Sequence, residues 1–553
     1  MQNLKTMLPA ILVLFLLPCT VAADQNSTSL QDISAQYVDL QRPGGSNHSS
    51  PDLSVRGFTR AIADKEEMLE ALLAITPDGL SLEQDIDRRL LIGILRSDIN
   101  TARTLRRWEN DPSLYLPSSR LGQLLEPGAT DDAKSKQQLM ELLLTLPGNL
   151  AHGRANLKRP PERFTRASIF QAENTLKALD TGLKTLTGLT ETETEVAKTA
   201  RTALAAYLAF LNEDLLPRSD GSWVLGREAY DFILQERWHM DSDADRIHQR
   251  GLQAFAETEK LAQETAARIQ PGKPWTEVYE TLTLNHPDAV DLKQAYQQQM
   301  DLAQDFVKQH SILTMPEGER VITLDTPPAM RRSSPFGTFE MVSPFDDGLE
   351  GRLMLTPIEA GLSPEQQEQR LRSHHNAWIP VIAVHEAYPG HHAHGIKMKE
   401  NPNMLRRVVT EPIFSEGWGL FTEELMFEFG FLRGDDVRLT QLRNRLWRAA
   451  RVILDSGLHT GRMSFEEAVQ FLVDKVRFEP YAAELEVGMY IREPTYVLGY
   501  LIGMQEIAVI RSDYIEQFGA PEPPSQFYDK LLRIGSIPPS LVREELFEPS
   551  DQN

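Results

Sequence analysis

Apolar residues at helical spacing are the feature that most constrains the fold of this 553-residue chain. Leu176, Leu179 and Leu183 recur at intervals of three and four, which is typical of the buried face of an amphipathic helix. Residues 196–211 repeat the pattern, and Gly188 to Glu191 between the two stretches predicts a helix stop followed by a new start. Further segments also read as helices: 83–109, 241–269 and 288–310. We therefore predict a mainly α, multi-helix fold.

Residues 317–357 depart from this helical pattern. They hold short runs of strand-forming residues that Pro, Gly and Asp separate, at 320–324, 339–342 and 352–356. We predict a small β-sheet here, next to the histidine-rich helix that follows it in the chain, after which the helical pattern resumes. No linker is evident between Lys65 and Glu545, so we predict one large domain over residues 51–553.

The N-terminus has the features of a secretory signal peptide. Lys5 precedes an apolar run over 7–21, and small residues end at Ala23, which predicts a signal peptide over residues 1–23. The run is short for a membrane span and contains two prolines, so we expect no stable membrane insertion after cleavage. Residues 24–50 are polar, and we predict a mobile leader there.

Cys19 is the sole cysteine and lies inside this signal segment. The mature protein would then contain no disulfide, which suits a periplasmic protein. We predict a periplasmic or secreted location. Lipid attachment at Cys19 is the alternative, which we favour less because Pro18 before it fits a lipoprotein signal poorly.

The charge of the chain argues against nucleic-acid binding. Lys and Arg number 57 and Asp and Glu number 79, which gives a formal net charge of −22. Binding to phosphates requires clustered basic residues, so we predict no nucleic-acid partner.

Histidines are concentrated in one part of the chain. Six of the 13 fall within 21 positions: His374, His375, His385, His391, His392 and His394. Such a run alone is as consistent with a polar turn as with a metal site. Glu386 directly after His385 favours the metal site, because zinc peptidases place a general base next to the first histidine ligand.

The spacing after His385 differs from the HExxH pattern, because position 389 is proline. His391 lies six residues after His385, which on a straight helix places the two side chains about 240° apart. Pro389 and Gly390 disfavour a straight helix and permit a bulge that returns His391 to the same ion. His392, about two turns along the axis, is the alternative, and we favour His391.

The third ligand of a catalytic zinc should come from another segment. Glu416 lies on a predicted amphipathic helix, 31 residues after His385. Glu423 lies seven residues further on a similar face and could orient a histidine. By spacing alone, however, these acids are better explained as a solvated helical face.

At this point the chain resembles a known family. The stretch His385 to His392, followed by Glu416-Gly417-Trp418, is similar to the bacterial family catalogued as domain of unknown function 885. The similarity extends to Asp455 to His459 and to segments containing Pro494, Tyr500, Gly503, Arg511 and Gly535 to Pro538. The resemblance implies a zinc peptidase related to the helical gluzincins, with its catalytic core over residues 335–540.

The resemblance also implies roles for individual residues. His385, His391 and Glu416 would hold Zn²⁺, with Glu386 as the general base. The other implied roles are oxyanion donors at Tyr500 and His459, a substrate-carboxylate partner at Arg511, and secondary partners or alternative ligands at His392, Glu423 and Asp455. A buried structural phenol explains Tyr500 equally well, and a structural ion pair explains Arg511 better than the implied role.

The activity that follows is hydrolysis of short peptides, as a dipeptidase, carboxypeptidase or oligopeptidase. A zinc hydrolase of a non-peptide amide and a non-catalytic metal-binding protein of the periplasm are the alternatives. The strand predicted at 352–356 could bind an extended peptide along an exposed edge. The sequence places no constraint on the oligomeric state.

Overall fold

The structure, a computed structural model, describes residues 17–42, 51–126, 133–185, 188–327, 331, 334, 336–359 and 361–548. Of residues 17–25 and 185 it describes the backbone alone. Most of the predicted signal peptide, residues 1–16, and the predicted leader residues 43–50 lie outside the described part.

Helices dominate the described residues, so the predicted mainly α fold is confirmed. The helices before the sheet are α1 (Leu17–Gln41), α2 (Val55–Ala74), α3 (Leu82–Leu105), α4 (Arg107–Asn110), α5 (Ser118–Leu124), α6 (Ala133–Asn156), α7 (Glu162–Thr185), α8 (Glu191–Phe210), α9 (Arg227–Glu236), α10 (Ala244–Ile269), α11 (Trp275–Leu282) and α12 (Leu292–Gln309). Shorter 3₁₀ and π turns lie at Pro112–Tyr115, Leu211–Leu215 and Leu216–Arg218.

The helices after the sheet carry the candidate site. They are α13 (Pro364–Arg372), α14 (Ile379–Glu386), α15 (His391–Lys399), α16 (Met404–Val408), α17 (Pro412–Glu428), α18 (Asp435–His459), α19 (Phe465–Phe471), α20 (Pro480–Tyr490), α21 (Leu498–Phe518), α22 (Ser525–Arg533) and α23 (Pro539–Leu546), with a π turn at Leu472–Val476. No helix in the described ranges is both long and apolar enough to cross a bilayer.

Local sequence explains where several of these helices begin. The Thr190 hydroxyl accepts from the backbone N–H of Glu193, whose carboxylate accepts from that of Thr190, so a capping box begins α8 at the predicted restart. Ser81, Ser363 and Ser464 begin their helices in the same way.

The leader differs from our expectation of a mobile segment. Residues up to Gln41 belong to α1, and Leu30, Ile33 and Val38 are buried in the main apolar core. These apolar residues are few, but the helix brings them to the core together. The polar composition of this segment therefore did not indicate that it forms a helix packed against the core.

Buried apolar side chains form two clusters in the described residues. The larger involves the sheet and the helices from α9 onward together with α1 to α3. The smaller is centred on α5 to α8, with Leu139, Leu143, Leu179 and Leu204 among its fully buried members. Buried apolar residues of α14 and α15, including Ile379, Val384 and Ala393, belong to the larger cluster.

The sheet has three strands, β1 (Arg320–Asp325), β2 (Gly337–Glu340) and β3 (Glu350–Leu355), in the order β1-β3-β2. β3 pairs parallel to β1 and antiparallel to β2. Gly351 of β3 touches the His392 ring, so the sheet packs on α15 as predicted. The expected peptide-binding edge at 352–356 is wrong, because β3 is the central strand and both of its edges are paired.

Helices α17 and α21 approach each other backbone to backbone. A Cβ on Gly503 would lie 1.8 Å from the Ile413 carbonyl oxygen, and one on Gly417 would lie 2.5 Å from the Gly503 carbonyl carbon. A Cβ on Gly499 would lie 2.5 Å from the Pro412 carbonyl oxygen. The three glycines therefore form a crossing, here called the glycine crossing, at which no side chain fits between the two helices.

Candidate metal centre

The histidine helix is interrupted where the sequence places Pro389 and Gly390. α14 ends at Glu386 and α15 begins at His391. The Gly390 N–H donates to the Val384 carbonyl at 3.1 Å, which folds the chain back on the end of α14. A Cβ at Gly390 would lie 1.8 Å from the His385 carbonyl oxygen, so only glycine fits this turn.

The turn brings the first two predicted ligands together. The ring centroids of His385 and His391 are 4.9 Å apart. Trp418 of α17 fixes the turn from the other side, because its indole N–H donates to the Pro389 carbonyl at 2.9 Å. The next residue, Gly419, packs on the His385 ring, where a Cβ would lie 2.8 Å from a ring carbon.

Glu416 completes a group of three. Its Oε2 lies 3.4 Å from Nε2 of His391 and 4.0 Å from Nε2 of His385. One ligand atom from each side chain lies within 4.8 Å of the others, and no second group of this kind is found in the described residues. We call these three residues the metal cluster.

The donor set fits a zinc ion. Two imidazoles and a carboxylate match the ligands of catalytic zinc sites, which use three protein groups. Glu423 Oε1 lies 2.9 Å from Nδ1 of His385, an arrangement that fixes the ring and leaves Nε2 facing Glu416. The Glu423 carboxylate is fully buried, which is the usual setting of a partner that orients a ligand.

The electrostatics of the cluster favour a cation. Burial alone would lower the pKa of His391, but the Glu416 carboxylate outweighs it and raises the pKa to about 8. Burial would raise the pKa of Glu416, but hydrogen bonding to His391 and the charges of both histidines lower it to about 2. Without a metal, His391 is therefore protonated at neutral pH and pairs with the ionised Glu416 carboxylate.

Glu386 follows His385 as the last residue of α14 and is half-buried. Its charge acts on His391, which places the carboxylate near the metal cluster. No ion pair joins Glu386 to another described residue. The position and free state suit a general base.

Two tyrosines line the cluster opposite the histidine turn. Tyr500 stacks on His385, with ring centroids 6.4 Å apart and planes 13° apart. Tyr496, which sequence reasoning missed, donates to Oε1 of Glu416 at 2.9 Å. Tyr496 lies in the turn before α21, outside the helix that carries Tyr500, so helical spacing gave no signal for it.

His392 takes no part in the cluster. It is fully buried, and its Nε2 lies 2.8 Å from Oε2 of Glu319, which also accepts from the Tyr388 hydroxyl at 2.6 Å. Hydrogen bonds from His392 and Tyr388 outweigh burial and lower the pKa of Glu319. The structure thus places His391 in the metal cluster and ties His392 to the loop before β1.

The structure does not bring His459 or Asp455 to the cluster. His459 is buried near the end of α18 and donates to the Tyr490 carbonyl at 3.0 Å, and burial lowers its pKa to about 4. Asp455 accepts from the Tyr230 hydroxyl at 2.8 Å and from the backbone of Thr495. Both expected site roles are therefore corrected: these residues connect α18 to α9, to the end of α20 and to the turn before α21.

Arg511 forms the structural ion pair that we favoured over the substrate-carboxylate role implied by the resemblance. It lies eleven residues after Tyr500 on α21, about 16 Å along the helix axis. Its guanidinium pairs with Glu428 at 2.8 Å and lines a separate cleft of about 400 Å³ with Phe421 and Glu424. It forms an ion pair away from the metal cluster.

Comparisons with known proteins agree on the fold and give no activity. The sequence model of a family described as "Bacterial protein of unknown function (DUF885)" matches residues 34–546. A solved structure described as a candidate lipoprotein of unknown function from Shewanella oneidensis superposes with a TM-score of 0.77 at 20% identity, over 96% of this chain and 99% of that chain. Another, described as a candidate lipoprotein from Colwellia psychrerythraea, gives 0.74 at 17%, over 95% and 98%. No curated protein matches the chain significantly.

Proposed function

The chain belongs to the DUF885 family of bacterial proteins, and from this premise we propose that it is an exported zinc-dependent metallopeptidase that hydrolyses short peptides. The observation that carries the proposal is the metal cluster with Glu386 beside it. Two imidazoles and a carboxylate from α14, α15 and α17 converge, and a free carboxylate follows the first of them.

His385, His391 and Glu416 are the residues that would hold the ion. When bound there, zinc supplies Lewis-acid polarisation of a carbonyl and lowers the pKa of a water molecule. Each ligand is held by a neighbour: His385 by Glu423, Glu416 by Tyr496, and His391 by the turn that Gly390 permits.

Glu386 acts as the general base and takes the proton from the attacking water. The same carboxyl group then returns this proton to the leaving amine. Tyr500 lies against His385, at the margin of the cluster, and its hydroxyl is the candidate donor to the oxyanion that forms on the substrate. Loss of one such donor typically slows turnover about 10²- to 10³-fold.

The surroundings favour short substrates. The three cluster residues are almost enclosed, with His385 only 3% and His391 only 9% exposed. Such enclosure favours a short extended peptide over a folded protein as the substrate.

Metal analysis combined with peptide cleavage tests the proposal. We expect about one zinc per chain and cleavage of peptides in a library of short sequences. Glu386→Gln should retain the zinc and lose cleavage, and Arg511→Gln should retain both, as a matched control away from the cluster. Wild-type protein that binds no stoichiometric metal would show the proposal to be wrong. Metal binding with activity only toward non-peptide amides would change the substrate class.

We also propose that the chain is exported. The signal-like N-terminus supports export, and two similar structures are described as candidate lipoproteins. The mass of the mature N-terminus distinguishes the two routes: cleavage after Ala23 indicates a released protein, whereas a lipidated Cys19 indicates an anchored one.

A further inference from the structure

One face of α18 carries polar side chains that are buried and incompletely hydrogen-bonded. They follow a helical spacing of three, four and three: Gln441, Asn444, Arg448 and Arg451. Each has side-chain nitrogen or oxygen atoms that find no hydrogen-bond partner among the described residues. Unpaired buried polar atoms are costly in a folded protein, so a row of them points to a missing partner.

Arg451 lies closer to the Tyr500 ring, with its guanidinium carbon 4.4 Å from the ring centroid, but Arg448 keeps more unpaired atoms. Arg448 is 6% exposed, and its Nε and Nη1 have no partner in the described part of the chain. Its guanidinium carbon lies 5.5 Å from the Tyr500 ring centroid, and Tyr500 in turn stacks on the metal-cluster residue His385. One aromatic ring therefore separates an unpaired guanidinium from the metal cluster.

Arg451 is buried beside Arg448 and is held rigidly. Its Nη2 and Nε donate to Oε1 of Glu486 at 2.6 and 3.0 Å, which leaves Nη1 unpaired. The guanidinium carbons of Arg448 and Arg451 each lie 4.2 Å from the Trp447 ring centroid. Trp447 donates from its indole N–H to Glu486 at 3.1 Å, so the arginine pair is fixed in position.

The charges around this pair do not balance. Glu486 forms an ion pair with Arg451. Glu423, another carboxylate near the two arginines, is already paired with His385. No carboxylate lies within ion-pair distance of Arg448 among the described residues. A buried, unpaired guanidinium beside a second one is unfavourable unless an anion joins them.

We propose that Arg448, supported by Arg451, binds a carboxylate of the substrate, namely the C-terminal carboxylate of the peptide. This inference rests on the proposed peptidase function and refines it. An extended peptide advances about 3.3 Å per residue, so a carboxylate at Arg448 lies within a few residues of a peptide bond at the metal cluster. The protein then removes one or a few residues from the C-terminus of its substrate.

The anion could also be an acidic side chain of the substrate, and the test separates the two sources. The probes are the tripeptide Ala-Ala-Phe as free acid, the same peptide as C-terminal amide, and Ala-Ala-Glu amide. Cleavage is measured with wild type and Arg448→Gln, and binding by calorimetry with the zinc-loaded Glu386→Gln protein with and without Arg448→Gln. Arg511→Gln is the control for loss of an arginine, and thermal unfolding checks the fold of each variant.

We expect the free acid to bind to Glu386→Gln at least tenfold more tightly than its amide, with Arg448→Gln removing the difference. A charge-assisted hydrogen bond of this kind corresponds to about 10- to 150-fold in affinity. Preference for Ala-Ala-Glu amide over Ala-Ala-Phe amide, lost with Arg448→Gln, would reassign the site to an acidic side chain and overturn the C-terminal assignment. Equal binding of all three probes would overturn the proposal entirely.

Arg448 could instead serve only as a counter-charge to Glu423. In that case Arg448→Gln would weaken zinc binding and reduce binding of acid and amide alike, which also overturns the proposal. The binding arm needs no turnover. If wild type cleaves no peptide while the acid still binds selectively through Arg448, the peptidase proposal fails and the carboxylate site stands.

Discussion

Gly390→Ala should disrupt the metal cluster without touching a ligand. The new Cβ would lie 1.8 Å from the His385 carbonyl oxygen and 2.3 Å from that of Val384. An ordinary carbon–oxygen contact is about 3.3 Å, so the backbone on one side of the turn must move by about 1.5 Å. The distances between a zinc ion and its ligands vary by only about 0.2 Å. His391 directly follows Gly390, so a movement of the turn displaces this ligand.

The magnitude follows from the loss of one ligand of three. Sites built from protein ligands bind zinc with a free energy of roughly 10 kcal/mol or more. Loss of one of three ligands removes about a third of this free energy and so weakens zinc binding by about 3 kcal/mol. This corresponds to about a hundredfold loss of zinc affinity. Overpacking should also destabilise the fold by about 1–3 kcal/mol.

Competition with a chromogenic chelator measures the zinc affinity, and circular dichroism establishes that the variant is folded. Gly148→Ala, on α6, is the matched control, because a Cβ there meets nothing within 4 Å. It should leave zinc affinity unchanged and stabilise the helix by up to about 1 kcal/mol. If folded Gly390→Ala binds zinc as tightly as wild type, the turn does not position His391 and our reasoning about the site fails.

Further predictions concern the neighbours of the ligands and a buried acid. Glu423→Gln, which keeps an acceptor but removes the charge beside His385, should weaken zinc binding about tenfold in the same chelator assay. Tyr496→Phe should do likewise by removing the hydrogen bond to Glu416; unchanged affinity in either variant would refute that orienting role. Burial raises the pKa of Asp455 to about 7, although hydrogen bonds from Tyr230 and the Thr495 backbone oppose the shift. Because the unfolded carboxyl ionises near pH 4, wild type should lose stability as pH rises from about 4 to 7. Asp455→Asn has no carboxyl group to ionise, so the Tm of the variant minus that of wild type should increase between about pH 4 and pH 7. A Tm difference that does not change with pH would refute this role of Asp455.

The sequence was sufficient to predict local secondary structure and the interruption of the histidine helix. Helices α10 and α12 were expected at 241–269 and 288–310, and the start of α8 was expected near Gly188, because spacing and capping residues act within a few positions. Pro389 and Gly390 likewise predicted an interrupted helix. These signals are short-range, which is why they could be read directly.

What the sequence could not give were partners from distant segments. His392 is adjacent to His391 but is bound by Glu319, more than seventy positions away. Arg448 lies among many charged residues on α18 and reads as part of a solvated face, yet it is buried. Residue type and spacing do not specify which face of a long helix lies inward when both faces are polar.

The glycine crossing has a consequence for how this site can change. α17 carries Glu416 and Trp418, α21 carries Tyr500, and Tyr496 lies in the turn just before α21. The two backbones in contact therefore hold Glu416 and both tyrosines in one unit. No side chain between the two backbones can be trimmed or enlarged to shift one relative to the other. Divergent relatives should therefore vary their specificity through elements outside this unit, such as α18, while the spacing between α17 and α21 stays fixed.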